Sequence, residues 1–245
     1  MLVMVSLNAF AEKKIAICTD NNFWYPFTLV EKGQPKGIHI DIIARALSNI
    51  GYTAEFKALP WKRCLKAAET GKMDGIATAS YKDARARFLH YPADAKEAGK
   101  SPNRVMQVEY IVVTTADSSY QFGGNVKTLP APVLAPRGYS IADDLKKQGV
   151  RVDDSATGDE KNIKKLLRKG KGSVVTIPEV VNVLSRKDAY KGKLHIGDTP
   201  IESKSYYLPV SKKSSISEAD RNRIWAEIAK IRDNAEVMAE IAAKY

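Results

Sequence analysis

Short strand-like runs alternate with segments of helical hydrophobic spacing, and this alternation runs along the chain twice. Lys14 to Thr19 is an apolar strand. Ile40, Ile43, Ala44, Leu47 and Ile50 recur at helical spacing, and Gly51 is a natural helix stop. Tyr52 to Lys57 alternates like a strand, Trp61 to Thr70 reads as a helix closed by Gly71, and Met73 to Thr78 as another strand. A helix between two strands lets them pair in parallel by crossing the sheet face, so the pattern predicts parallel sheets covered by helices.

A polar stretch at 92–104 reads as a loop, and Val105 to Thr115 is a long β-rich run. The second set then begins. Pro132 to Ala135, Val150 to Asp153, Ser173 to Ile177 and Leu194 to Ile196 read as strands. Ser140 is placed to cap a helix ending at Gly149, Asp159 to cap one running through Lys169, and Val180, Val181 and Leu184 mark a third. Ser205 to Val210 is an apolar return segment, and the chain ends in helices starting at Ser217. Two α/β units joined by extended runs predict two lobes with strand-like hinges. The expected boundaries are 12–108 with 210–245 for the first lobe and 109–209 for the second. In such a fold a ligand binds between the lobes and closure buries it.

Met1 to Ala11 is apolar and ends in Ala9-Phe10-Ala11, a small-x-small pattern of the kind signal peptidase cuts. The run is short and lacks a preceding basic residue, so it is expected to be a signal-peptide remnant. A buried first strand is the competing reading, but Lys13 to Ile17 already starts a strand without it. The mature chain is then expected to begin near Glu12, in the periplasm. No later stretch approaches the roughly 18 apolar residues of a membrane span.

The net charge is +11. The basic residues are scattered and densest at Lys161 to Lys171 and Lys204 to Lys213; Lys164, Lys165, Arg168 and Lys169 sit around Ile163, Leu166 and Leu167, as on the wet face of an amphipathic helix. No aromatics interleave them for base stacking, so nucleic acid is not an expected partner. The positive field still favours anionic ligands. Cys18 and Cys64 lie in apolar stretches and are read as small buried hydrophobes, although an exported protein permits a disulfide between them. No CxxC or histidine cluster suggests a metal, and His39, His90 and His195 are isolated in sequence.

Four stretches can carry chemistry. The first, Asp20 to Phe27, follows the first strand. Loops at the carboxyl ends of parallel strands line ligand crevices, and here an acid stands beside Phe23 and Trp24. A packed aromatic plug explains the same residues. The second is Pro60-Trp61-Lys62-Arg63, where Trp61 is either a cleft wall or core, and Arg63 either an anion contact or solvated. In the third, Thr78 to Arg85, Ser80 and Arg85 can converge on one carboxylate, with Arg87 as the competing arginine. The fourth is Pro136-Arg137-Gly138-Tyr139-Ser140, either an anion-binding helix start or a simple cap. No GxSxG, P-loop or HExxH is present, and Asp153-Asp154 and Asp159-Glu160 read as capping or solvation groups.

Gly37-Ile38-His39-Ile40-Asp41, then Trp61, then Gly71-Lys72-Met73-Asp74-Gly75, then Ser80 to Arg85 run in the order G-x-x-x-D, W, G-x-x-D, S/T-x-x-x-x-R. This series resembles the family 3 extracellular solute-binding proteins, the polar-amino-acid type serving ABC importers, from about Lys13 to Tyr245. The resemblance implies an α/β, two-lobed periplasmic binding protein fold of type II. It implies that Arg85 holds a ligand carboxylate with Ser80 assisting, that Asp20 faces the amino group or side chain, and that Phe23 or Trp24 stacks on the ligand. Tyr139 and Ser140 would close from the second lobe. The Pro60 to Arg63 form is similar to a branch whose ligands are often unassigned. The family's usual T-x-E-R is replaced by Lys82-Asp83-Ala84-Arg85. Its acid after the second-lobe strand is either Glu179 in a shifted register or absent.

The expected function is capture of a small polar or zwitterionic solute, an amino acid or related carboxylate, by a monomer without cofactors. The implied partner is an ABC permease, or a membrane sensor if the clamp reports rather than transports. A third reading is an enzyme similar to cyclohexadienyl dehydratases, for which Asp20, Glu179 and His90 are the candidate acids or bases.

Overall fold

The computed structural model describes residues 13–97 and 99–245. The expected signal-peptide remnant at 1–11 lies outside the described residues. The first part of the chain contains β1 (Lys13–Asp20), β2 (Leu29–Glu31), β3 (Gln34–Lys36), α1 (Ile38–Asn49), β4 (Tyr52–Leu59) and α2 (Trp61–Glu69). Then come β5 (Gly75–Ile76), β6 (Ala79–Ser80), α3 (Asp83–Ala86), β7 (Leu89–His90) and the long β8 (Met106–Thr115). The second set is β9 (Val133–Leu134), α4 (Ser140–Lys147), β10 (Val152–Asp153), α5 (Asp159–Lys169), β11 (Ser173–Thr176), α6 (Pro178–Leu184) and β12 (Leu194–Ile196). β13 (Glu202–Tyr207), β14 (Val210–Ser211), α7 (Glu218–Asp233) and α8 (Ala235–Ala242) complete it.

These elements build two lobes. One sheet runs β4-β1-β5-β14-β7, with β1 parallel to β4 and β5. The other runs β10-β9-β11-β8-β13-β6, with β12 also on β8. There β9 is parallel to β10 and β11, while β8 is antiparallel to β11 and β13. β8 and β13 are the extended runs that link the lobes, paired from Tyr110 opposite Glu202 to Met106 opposite Tyr206.

Each lobe has its own core. Helices cover both faces of a parallel sheet, so its central strand is apolar nearly throughout. β1 accordingly buries Ile15, Ile17 and Cys18. α1 turns Ile42, Ile43, Ala46 and Leu47 toward Ile224, Ile228 and Ile231 of α7, and each such side chain contributes about 1.5–3 kcal/mol by leaving water. Gly37 starts α1 with φ 128°, where a Cβ would sit 2.1 Å from the Phe27 carbonyl oxygen, so only glycine allows this entry. In the second lobe, Val112, Val113, Leu134, Val174 and Val175 meet Ile141, Leu145, Ile163, Leu166, Val180 and Leu184. Lys164, Arg168 and Lys169 are exposed, as the amphipathic pattern of α5 predicts, whereas Lys165 is half-buried because it pairs with Asp153 at 2.6 Å.

Several expectations are corrected. Cys18 and Cys64 form a disulfide, with Cα atoms 5.6 Å apart, rather than two free thiols. The fold places α2 against β1, a proximity that residue spacing does not encode. The strand expected at Met73–Thr78 is only Gly75–Ile76, because the N–H groups of Lys72 and Met73 close a turn onto the Ala67 carbonyl. Ser140 and Asp159 are the first residues of their helices, not caps; the capping positions are Tyr139 and Gly158, without side-chain capping bonds. The 92–104 loop contains one 3₁₀ turn at Ala93–Lys96 and is pinned by the Ser101 N–H to Ser205 Oγ, 3.0 Å.

Candidate functional site

The carboxyl ends of the parallel strands converge on one cavity. β1 delivers Asp20. The loop after β4 delivers Trp61, the loop after β9 delivers Gly138 to Ser140, and Thr78 follows β5. Asp20, Trp24, Thr28, Trp61, Thr78, Arg85, Tyr139, Ser140 and Tyr206 line it. The walls come from both lobes, and aromatic rings stand beside a few polar groups, as in small-molecule sites.

One end is cationic. Arg85 is only 6% exposed although it sits in the four-residue helix α3. Its Nη1 donates to Ser80 O at 2.9 Å and Ser80 Oγ at 3.2 Å, its Nη2 donates to Gly138 O at 3.3 Å, and its guanidinium lies 5.1 Å from the Trp61 ring. Three contacts leave part of a five-donor fork unused. Trp61 Nε1 also donates to Gly138 O, at 2.9 Å. Gly138 has φ +78°, and a Cβ there would meet Trp61 Cδ1 at 3.2 Å, so glycine permits this approach. Ser80 Oγ donates to Ser140 Oγ across the cleft at 2.8 Å. Outside the cavity lining, Lys82 pairs with Asp143 between the lobes.

The other end is acidic. Asp20 accepts from Asn22 Nδ2 at 3.0 and 3.1 Å and from the Tyr139 hydroxyl at 2.7 Å. Burial raises its pKa, against the opposing pull of those hydrogen bonds. Burial, then the nearby Asp20 charge, pushes the Tyr139 hydroxyl well above the usual tyrosine range. Asp159 is buried at 2% exposure. Burial pushes its carboxyl up to about 7, with a smaller upward push from Asp20 and a downward pull from Thr176. None of the ion pairs among the described residues involves Arg85, Asp20 or Asp159. The arrangement can hold an anionic group at one end and a cationic or hydrogen-bond-donating group at the other, between aromatic walls.

Of the residues singled out from sequence, Asp20, Trp24, Trp61, Arg85, Tyr139 and Ser140 line the cavity, and Ser80 touches Arg85 and Ser140. Arg85 is buried while its competitor Arg87 is exposed. Three fall outside the lining. Phe23 stacks on Tyr25 at 5.8 Å, beneath the Lys187 ammonium. Arg63 is exposed on α2, because the face that buries Trp61 and Cys64 turns it to solvent. Glu179 lies partly buried in the first turn of α6, and burial raises its pKa, with Glu109 adding to the effect. Thr28, Thr78, Tyr206 and Asp159 were not singled out. Thr78 heads the very stretch that holds Ser80 and Arg85. Tyr206 has a weak signal, a tyrosine pair in the return strand, while Asp159 reads as an ordinary helix-start acid.

Chains of known structure share this architecture at low sequence identity. The arginine-, lysine-, histidine-binding protein ArtJ from the thermophilic bacterium Geobacillus stearothermophilus is similar with a TM-score of 0.71 and 17% identity, covering 95% of each chain. A histidine kinase sensor domain with similarity to periplasmic binding proteins gives 0.70 and 17%, covering 96% of each. An ancestral amino-acid-binding protein, a precursor of cyclohexadienyl dehydratase, gives 0.69 and 15%, covering 95% of each. No curated protein sequence matches the chain. The family model of the bacterial extracellular solute-binding proteins, family 3, matches residues 15–245. With two α/β lobes, a cleft at the strand ends and that match over nearly the whole chain, the protein belongs to the bacterial extracellular solute-binding proteins, family 3.

Proposed function

We propose that the protein captures a small polar or zwitterionic solute in the periplasm, by closure of the two lobes, for an ABC importer. The lobes are drawn at 12–108 with 210–245 and at 109–209, with Arg85 as the carboxylate anchor and Ser80 beside it. Asp20, Trp24, Trp61, Tyr139 and Ser140 complete the clamp. The observation that carries this reading is Arg85, a nearly fully buried guanidinium in the cavity wall with no acidic partner among the described residues. A buried charge without a counter-ion is costly, and a planar guanidinium fork matches a carboxylate in charge and geometry. Closure is then favoured by contacts that a solute makes with both lobes together.

A second reading keeps the clamp and changes the listener. The similarity to a histidine kinase sensor domain covers the same share of the chain and favours a solute sensor. Binding without turnover is proposed over the enzyme reading, whose candidate acids or bases are Asp20, Glu179 and His90. A thermal-shift screen against amino acids, dicarboxylates, polyamines and small peptides tests the reading, since a solute that binds only the folded state raises the melting temperature with concentration. A shift from a carboxylate-bearing solute supports it. Turnover of prephenate or arogenate would replace it with catalysis.

A further inference from the structure

We infer that the second lobe carries its own competitor for the solute: the Gly138 carbonyl and the Ser140 hydroxyl occupy the donors of Arg85, Trp61 and Ser80, and this latch holds the cleft shut against the solute. The inference rests on the Arg85 clamp described above and adds what a solute has to displace.

The opposite lobe engages the very donors that are to hold the solute. Arg85 Nη2 and Trp61 Nε1 both donate to the one Gly138 carbonyl, at 3.3 and 2.9 Å. Ser80 Oγ accepts from Arg85 Nη1 at 3.2 Å and donates to Ser140 Oγ at 2.8 Å. At the acidic end, Asp20 accepts from the Tyr139 hydroxyl at 2.7 Å. Gly138, Tyr139 and Ser140 are consecutive, so one short stretch at the head of α4 answers both ends of the cavity. The positive φ of Gly138 and its missing Cβ let that stretch come so close to Trp61.

Little room is left between the walls. The cavity volume is about 30 Å³, whereas one water needs roughly 10–15 Å³ and small-molecule sites hold about 300–1,000 Å³. A solute with a carboxylate and a second polar group is larger than a few waters. Its entry therefore requires the lobes to part, and its carboxylate then takes the place of the Gly138 oxygen on Arg85. The exchange favours the solute, because a hydrogen bond to a carboxylate is about twice as strong as one to a neutral carbonyl.

Two contacts reinforce the latch from outside the cavity. Lys82 pairs with Asp143, one helical turn along α4 from Ser140. Asn22 Nδ2 donates to the Thr157 carbonyl at 2.8 Å. None of these four residues is among the cavity lining. Weakening such a contact loosens the shut form without removing a group that touches the solute. Where only the parted form binds, the apparent dissociation constant rises as the fraction of that form falls. Loosening the latch therefore tightens binding, whereas removing a solute contact weakens it.

The test separates the latch from the clamp. Spin labels are placed on Lys57→Cys in β4 and Lys147→Cys in α4, exposed positions on opposite lobes. Pulsed dipolar distances are then measured with no solute added. The expected result is one dominant short distance, with a longer population growing when Asp143→Asn is introduced. A distribution that is long and broad before any substitution overturns the inference, whatever the cleft binds. Calorimetric titration with L-glutamate, L-arginine and succinate gives the second readout. A probe that binds wild type is expected to bind Asp143→Asn at least about threefold tighter. Equal or weaker binding by Asp143→Asn overturns the inference but leaves the Arg85 clamp standing. Undiminished binding by Arg85→Ala contradicts the clamp, and with it the competition for Arg85.

Discussion

Tyr139 and Asp20 stand on opposite lobes and share a hydrogen bond, the phenolic O–H donating to Asp20 Oδ2 at 2.7 Å. The bond spans the mouth of the candidate site and joins a strand end of one sheet to a helix start of the other. A hydrogen bond to a buried carboxylate is worth more than a neutral one, so it favours the closed arrangement. Tyr139→Phe keeps the ring against Trp61, 6.2 Å away, and removes only that bond. The expected loss is about 2 kcal/mol of stability in urea denaturation, with a larger radius of gyration in solution scattering. An unchanged radius would show that closure does not depend on this contact.

The disulfide lies directly beneath the site. Cys18 precedes Asp20 by two residues, and Cys64 is one helical turn after Trp61. It therefore ties together two walls of the cavity. With a sequence separation of 46 between the cysteines, cross-linking the unfolded chain is worth about 4 kcal/mol in the chain-entropy model. Cys18→Ala with Cys64→Ala should lower the melting temperature by several degrees and weaken solute binding at temperatures where the variant is still folded. Full affinity in that variant would show that the walls hold their positions without the bond.

His39 is fully buried, stacked 4.6 Å from Phe27, with both ring nitrogens unpartnered, and burial depresses its pKa to about 3. The unfolded chain takes up this proton near pH 6.5 and the folded protein does not. The stability is therefore present above pH 6.5 and lost as pH falls toward 3, by about 3 kcal/mol at pH 4. His39→Leu should remove that part of the acid sensitivity in denaturation curves between pH 7 and 4. An unaltered pH slope would place the titrating group elsewhere.

Asp159 carries the opposite sign. Its folded-state pKa lies near 7, above the unfolded value, so the folded state is favoured at low pH and loses that advantage as pH rises from about 4 through 7. Asp159→Asn should therefore be more stable than wild type at pH 8, by a few kcal/mol, and lose that gain at pH 4. Equal stability at both pH values would mean that the carboxyl reaches water.

Much of the fold is legible in the residues because apolar spacing repeats the physical period of each element. β1, α1, α5 and β8 stand close to where alternation and 3.6-residue spacing put them. The short strands β2, β3 and β7 are less legible, since two or three residues bonded to neighbouring strands leave no period to read. The site is legible where a motif concentrates it, as at Ser80 and Arg85. The burial of Asp159 is hidden, because an acid at a helix start looks the same in sequence whether it is solvated or buried. Glu179 and Arg63 stand outside the cavity lining, Arg63 exposed on α2 and Glu179 partly buried in α6, a placement that residue type alone does not reveal.

The most direct test of the central claim is a calorimetric titration of wild type, Arg85→Ala and Arg87→Ala with a carboxylate-bearing solute found in the thermal-shift screen. Arg85 is buried in the cavity wall and Arg87 is exposed two residues away. The account predicts that Arg85→Ala loses about 2–5 kcal/mol of binding, the cost of leaving a carboxylate buried without its partner, while Arg87→Ala binds as wild type does. Wild-type affinity in Arg85→Ala would contradict the account.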